Sequence, residues 1–352
     1  MLARRSFLAG LAATPLIASA ASAQQAAAPK RVAIASATIP VEAMIEGNAG
    51  DPGWVAFFTE MKAQGFAAGA NVTYERSSGA QYNQVRRLQG ARWSALGTAI
   101  AGTKPDIVFA TSSYMARGAA TAADTLPVVF LVGDPLATGL VADLAQPGAN
   151  LTGVASAAGA TREAARLALL HEAVPAAAKA AYLLKSAAQS PTNWGLGLVA
   201  AATAAGGPLN MTVTPAYFDD VLDDAGIDAS AHLRALLDAA KGGAQAFAVA
   251  EGLDITEYAG PLGGFALALK LPAIAPWRDF VVGGGLMSYG PNQNEMFKTA
   301  AQQVARILKG DKPGAIAVAQ PAPELVVSQR NAKHLGVTLP AALVAKAKEV
   351  LT

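Results

Sequence analysis

The chain has 352 residues, 53% of them apolar but only 6% aromatic, with 27 basic against 25 acidic side chains and no cysteine. That length allows two domains with cores of their own. The lack of cysteine excludes disulfides, thiol catalysis, cysteine-ligated metals and a lipoprotein anchor, and the near-even charge gives no basis for nucleic-acid or anionic-membrane binding.

The first residues read as an export signal. Arg4-Arg5-Ser6-Phe7-Leu8 resembles the twin-arginine motif, and an apolar segment then leads to Ala21-Ser22-Ala23, an A-x-A cleavage site. An ordinary secretory signal is the alternative. Cleavage after Ala23 removes Arg4 and Arg5 and leaves 25 basic against 25 acidic residues, so the basic pI belongs partly to the signal. No later stretch has the ~18–20 uncharged, strongly apolar residues of a membrane helix. The mature protein is expected to be soluble in an exported compartment, the periplasm.

After a linker at 24–29, residues 31–35 form a first predicted strand, with Ser36, Ala37 and Thr38 at its carboxyl end. Asp51-Pro52-Gly53 opens a helix whose Trp54, Phe57, Phe58 and Met61 share one apolar face. That stripe reads as core, with Trp54 alone kept open as a ligand contact. A strand at 72–74, a polar segment at 75–83 and a helix from about 84 to 100 follow. Residues 107–110 are a third strand, and Thr111-Ser112-Ser113 precede a helix starting near Tyr114. Hydroxyls and free N–H groups at a helix start suit a carboxylate, although either serine could simply cap its own helix.

The run Val128–Val132 is a strand covered on both faces, stopped by Gly133-Asp134-Pro135. A helix over 136–144 and a strand over 151–154 complete a predicted βαβ unit. Ligands of such sheets bind beyond the carboxyl ends of the strands, where Gly133, Asp134 and Thr138 are expected. Strands are further predicted near 180–184, 211–214, 246–250 and 273–275, and helices near 161–173, 193–205, 230–241 and 255–269. Residues 283–291, with three consecutive glycines, suggest a crossover between lobes, and 293–309 a helix returning to the first. The fold class is therefore α/β.

The segment Gly133–Gly153 reads G-D-P-x-A-x-G-L-V-x-x-L-A-x-P-G-x-N-x-T-G. It resembles a signature of ABC-transporter substrate-binding proteins of the tryptophan- and tyrosine-type family. Asp143 and Ala149 stand where Ser and Gly are expected. Gly284–Pro291 with Ala305–Gly310, and Glu324–Val327 through Leu339-Pro340 to Val350, are further matching blocks, with Ser328 in place of Asn. The resemblance covers nearly the whole mature chain. It implies two Rossmann-like lobes with parallel sheets, joined by about three hinge crossovers, in the type I periplasmic-binding-protein layout. The expected division is a signal at 1–23, a first lobe at 30–153 plus about 288–315, and a second at 154–287 plus about 316–352.

That resemblance implies an exported component of an ABC importer. It would capture a small molecule, with an aromatic or apolar amino acid as best candidate, and deliver it to an inner-membrane permease. A sensor signalling to a membrane receptor is the alternative. Ligand-binding candidates are Thr38, Ser112, Ser113 and Asp134 from the first lobe, with Asn193, Trp194, Asp254 and Tyr289 added. Asp134 and Asp254 could share a ligand ammonium; capping of the next helix is the competing role for Asp254. No cofactor is expected, and a monomer is.

Enzyme constellations are missing from the sequence: it has no P-loop, no H-E-x-x-H and no G-x-S-x-G. His171, His232 and His334 read as surface helix residues. Asp219, Asp220, Asp223, Asp224 and Asp228 lack EF-hand spacing and read as a solvated acidic loop.

Overall fold

The computed structural model describes residues 28–80, 89–148, 150–157, 161–185, 194–218, 222–223, 226–227, 230–251 and 258–352. The export signal, Asn193, Asp254 and all of the acidic cluster except Asp223 lie outside them.

The first half alternates β1 (Lys30–Ser36), α1 (Pro52–Ala63), β2 (Val72–Ser78), α2 (Gln89–Gly102), β3 (Ile107–Ala110), α3 (Ser113–Ala122), β4 (Val128–Val132) and β5 (Leu151–Ala155). Its strands form one parallel sheet in the order β2-β1-β3-β4-β5. Strand β2 runs to Ser78, four residues beyond the predicted Tyr74. Asp51 caps α1, its Oδ1 accepting from Gly53 N and Trp54 N. The apolar stripe of α1 is entirely core. Trp54 is fully buried, with ring centroids 5.2–5.7 Å from Phe297, Phe109 and Phe57, so the contact with ligand left open for it is ruled out.

The second half contains α4 (Thr161–Ala173), β6 (Lys179–Lys185), α5 (Trp194–Gly206), β7 (Thr212–Phe218), β8 (Leu222–Asp223), β9 (Gly226–Ile227), α6 (Ser230–Lys241), β10 (Ala246–Val249), α7 (Ala259–Ala268), β11 (Ala273–Ala275), α8 (Arg278–Gly283) and β12 (Met287–Pro291). Then come α9 (Gln293–Leu308), β13 (Pro323–Ser328), α10 (Gln329–Leu335), α11 (Ala341–Lys346) and β14 (Glu349–Leu351). A seven-stranded sheet runs β14-β13-β12-β11-β10-β6-β7, with only β12–β13 antiparallel; β8 and β9 pair separately.

Helix α9 leaves this sheet and packs on the first. Its Met296, Phe297, Ala300, Val304 and Ile307 join the core of α1, β1 and β3. The chain thus passes between the sheets after β5, at Pro291–Asn292, and again before β13. Because β12 stays in the second sheet to Pro291, the second passage falls slightly later than the expected residue 288.

Three expectations are corrected here. Residues 136–144 form no helix. Asp134 Oδ1 accepts from Leu136 N and Ala137 N, and Leu140 N bonds back to Pro135 O at 2.8 Å. Gly139, at φ +62, turns the chain left-handed after one turn, so the helix stops where it starts. The glycine run 283–285 is no crossover between lobes. It lets α8 lie against α7: a Cβ on Gly283 would stand 2.1 Å from the Gly260 carbonyl oxygen. His232 is not on the surface; it is buried, with ring centroids 4.0 Å from Phe218 and 4.7 Å from Tyr258. Its place on the inner face of α6, beside Ala231 and one turn before Leu236, accounts for this.

The signature P-G-x-N-x-T-G is explained by the connections it makes. Asn150 Nδ2 donates to the carbonyls of Ala120, Ala123 and Leu126, closing the end of α3. Thr152 Oγ1 donates to Ile316 O at 2.7 Å, and Gly153 O accepts from Gln303 Nε2 and Ala319 N. These bonds fasten α9 and the returning segment to β5. Ser328 fills the place of the expected Asn as cap of α10, its Oγ accepting from Asn331 N at 3.0 Å.

Candidate ligand-binding site

In a parallel sheet all carboxyl ends share one edge, so the first sheet collects Ser78, Thr38, Ser112, Ser113 and Asp134 along it. Each follows the end of its strand or closes it. Hydroxyls shape this edge. The buried Ser36 Oγ accepts from Ile39 N at 3.0 Å, and Thr111 Oγ1 accepts from Ala37 N at 3.3 Å. Ser78 Oγ donates to Ile39 O at 2.7 Å. The loop carrying the half-buried Thr38 is therefore held from β1, β2 and β3 together.

Ser112 is the N-cap of α3, with its Oγ 3.5 Å from Met115 N. A capping hydroxyl accepts that bond and still has its own proton to donate. Ser113 opens the helix, half-buried, where the dipole of a helix start favours an anion. Asp134 is buried, and its Oδ1 serves the turn that follows. Between the end of β2 and α2 a cavity of 390 Å³ is lined by Pro40, Glu42, Arg76, Ser77, Ser78 and Leu96, among others; among the described residues, none of the predicted site residues lines it.

On the second sheet, Trp194 opens α5, but its side chain, like Asn193 and Asp254, lies outside the described residues. Tyr289 sits within β12 opposite Leu325, half-buried against the core of its own lobe.

Sequence reasoning missed a group of buried charges where β10 ends. Glu251 Oε2 accepts from Arg166 Nη1 at 3.0 Å and Nη2 at 2.6 Å, and Nη2 also donates to Glu163 Oε1 at 3.0 Å. Ser156 Oγ donates to Glu251 Oε1 at 3.1 Å, and Arg162 Nη2 to Pro321 O at 3.1 Å. Burial pushes the Glu251 carboxyl up against the opposing pull of Arg166, and burial lowers Arg162. No sequence signal marks the group, because charges at i, i+3 and i+4 on a helix usually indicate a solvated face.

A family profile described as "ABC transporter substrate binding protein" matches residues 38–351. The chain belongs to that family. Solved structures share the fold. One is a conserved domain protein from Vibrio cholerae O1 biovar eltor, at 20% identity and TM-score 0.72 over 91% of this chain and 99% of that one. Another is the ABC domain in complex with L-Trp from Streptococcus pneumonia, at 18% identity and TM-score 0.73 over 92% of this chain and 100% of that one. A Caulobacter myo-inositol binding protein is more distant, at 14% identity and TM-score 0.53 over 87% and 97%. No curated protein sequence gives a significant match. The substrate-binding protein thus has the type I periplasmic fold, in a family that binds solutes rather than transforming them. Among the described residues, no helix is long and apolar enough to cross a membrane.

Proposed function

We propose that this substrate-binding protein captures an aromatic or apolar amino acid between its lobes and delivers it to an ABC permease. It acts in the periplasm, after export through the twin-arginine signal and cleavage after Ala23. The observation that carries this reading is the polar edge of the first sheet: a helix start with two serines stands next to a buried aspartate. An amino acid offers a carboxylate to the first and an ammonium to the second. The L-Trp complex of the structural neighbour adds support. Asn193, Trp194 and Asp254 supply the opposing contacts from the second lobe, with Thr38 and Tyr289 at the margins.

Contacts from both lobes exist only when the lobes are closed, so ligand binding favours the closed state. A full switch of population from 1:99 to 99:1 needs about 5.5 kcal/mol of differential affinity. Charge-assisted bonds and a stacked ring are of that order. The test is thermal unfolding of mature protein, denatured and refolded to remove carried-over ligand, against amino acids, aromatic acids, short peptides and nucleosides. A ligand at 100 times its Kd adds about 2.7 kcal/mol to the native state. A selective upward shift with aromatic amino acids is expected; a shift confined to nucleosides or peptides would contradict the proposed ligand class.

A further inference from the structure

The buried charges at the end of β10 touch more than one of the chain's passages between the lobes. Ser156 immediately follows β5, where the chain leaves the first sheet, and Pro321 lies on the segment that returns before β13. Both are bound from the second lobe, Ser156 by Glu251 and Pro321 by Arg162. Arg166, wholly buried on the same helix as Arg162, ties that helix to Glu251.

We propose that Glu251 is a positioning residue that sets the angle between the lobes. One carboxylate holds the first passage through Ser156 and α4 through Arg166, while α4 holds the last passage through Arg162. A buried ion pair adds little net stability over apolar packing, and its best-attested use is to select one arrangement among several. The cost of an unpaired buried charge makes that selection sharp: intermediate angles would stretch bonds without replacing them. Among the described residues the buried Arg162 Nη1 has no hydrogen-bond partner, a cationic donor that a different lobe angle could satisfy.

The experiment needs no ligand, so its outcome is independent of the amino-acid reading above. The chain has no cysteine, so Lys62→Cys on α1 and Lys241→Cys on α6, both exposed, accept spin labels at these two places alone. Pulsed electron resonance on refolded, ligand-free protein then gives the distribution of interlobe distances. Ser156→Ala leaves the Arg166 pair intact; it is expected to broaden or shift the distribution while the thermal midpoint stays near that of the parent. Glu251→Gln is expected to act in the same direction and more strongly. Arg278→Ala breaks a pair within the second lobe only, with Glu349, and should leave the distribution unchanged. An unchanged distribution in Ser156→Ala overturns the proposal, and that variant decides alone should Glu251→Gln fail to fold. A merely structural cluster would lower the midpoint and leave the distances as they were.

Discussion

Helices α1 and α9 meet through rings, whereas α7 and α8 meet through missing side chains. Between the first pair, Trp54 of α1 lies edge-on to Phe297 of α9, with centroids 5.2 Å apart, and both rest on Phe109 of β3. Between the second pair, a Cβ on Gly263 would come within 2.1 Å of a carbonyl oxygen, and one on Gly283 within 2.1 Å of the Gly260 carbonyl oxygen. Aromatic contacts bury large areas, and a lost ring leaves a cavity whose walls can partly relax. Backbone contacts bury little per residue and leave no slack for an added atom. The first pair should therefore be sensitive to what is removed and the second to what is added.

The largest expected effects test that contrast directly. Trp54→Ala should cost about 3–5 kcal/mol, as large aromatic truncations in cores do. Gly263→Ala adds a single methyl group and should cost about 3 kcal/mol, at the upper end for overpacking. Gly260→Ala, whose Cβ would meet nothing within 4 Å beyond its chain neighbours, should change stability by less than about 1 kcal/mol, because the helix gain is offset by the disfavoured helical conformation before Pro261. Urea unfolding of the three variants measures all of this. Equal responses at Gly260 and Gly263 would break the comparison.

A smaller effect concerns the far edge of the second sheet, where Arg278 clamps both carboxylate oxygens of Glu349 at 2.7 Å. Hydrogen bonding to Arg278 lowers the Glu349 pKa. Its contribution is thus present above the ordinary carboxylate range and is lost as the pH falls through the depressed folded-state value. Both side chains are at least a third exposed, so the pair is worth only about 0.5 kcal/mol. Arg278→Ala should lose that amount at neutral pH and match the parent in acid. A difference that persists undiminished at low pH would assign the loss to packing of the arginine stem.

The contrast between the helix pairs also explains what could be read in advance. An aromatic stripe repeats with the helix period, so α1 was legible to its cap, and the apolar runs of β3, β4 and β10 announced buried parallel strands. Glycine carries no such signature. Gly283–Gly285 read as a crossover between lobes because close packing against α7 depends on partners about twenty residues upstream. The turn after Asp134 reads as a helix for a related reason: residues 136–144 have a helical composition, and the one left-handed glycine that stops them is indistinguishable in sequence from a tolerated one. His232 reads as a surface residue because its neighbours Phe218 and Tyr258 come from other segments of the chain. The positions of Thr38, Ser112, Ser113 and Asp134 just beyond strand ends were legible in the sequence alone. Glu251 and Arg166 were not, since 85 residues separate the two halves of their pair.

The central claim is that an amino acid is held with its ammonium at Asp134, and Asp134→Asn isolates that charge. Asparagine keeps the side-chain oxygen that Leu136 N and Ala137 N require, so the turn should survive. Calorimetric titration of L-tryptophan into refolded parent and Asp134→Asn proteins is the most direct measurement. The account predicts one-site binding by the parent, weakened about tenfold or more in the variant, as loss of a charge-assisted bond of about 1.5–3 kcal/mol requires. Equal affinity in both proteins, with the fold intact, would contradict it.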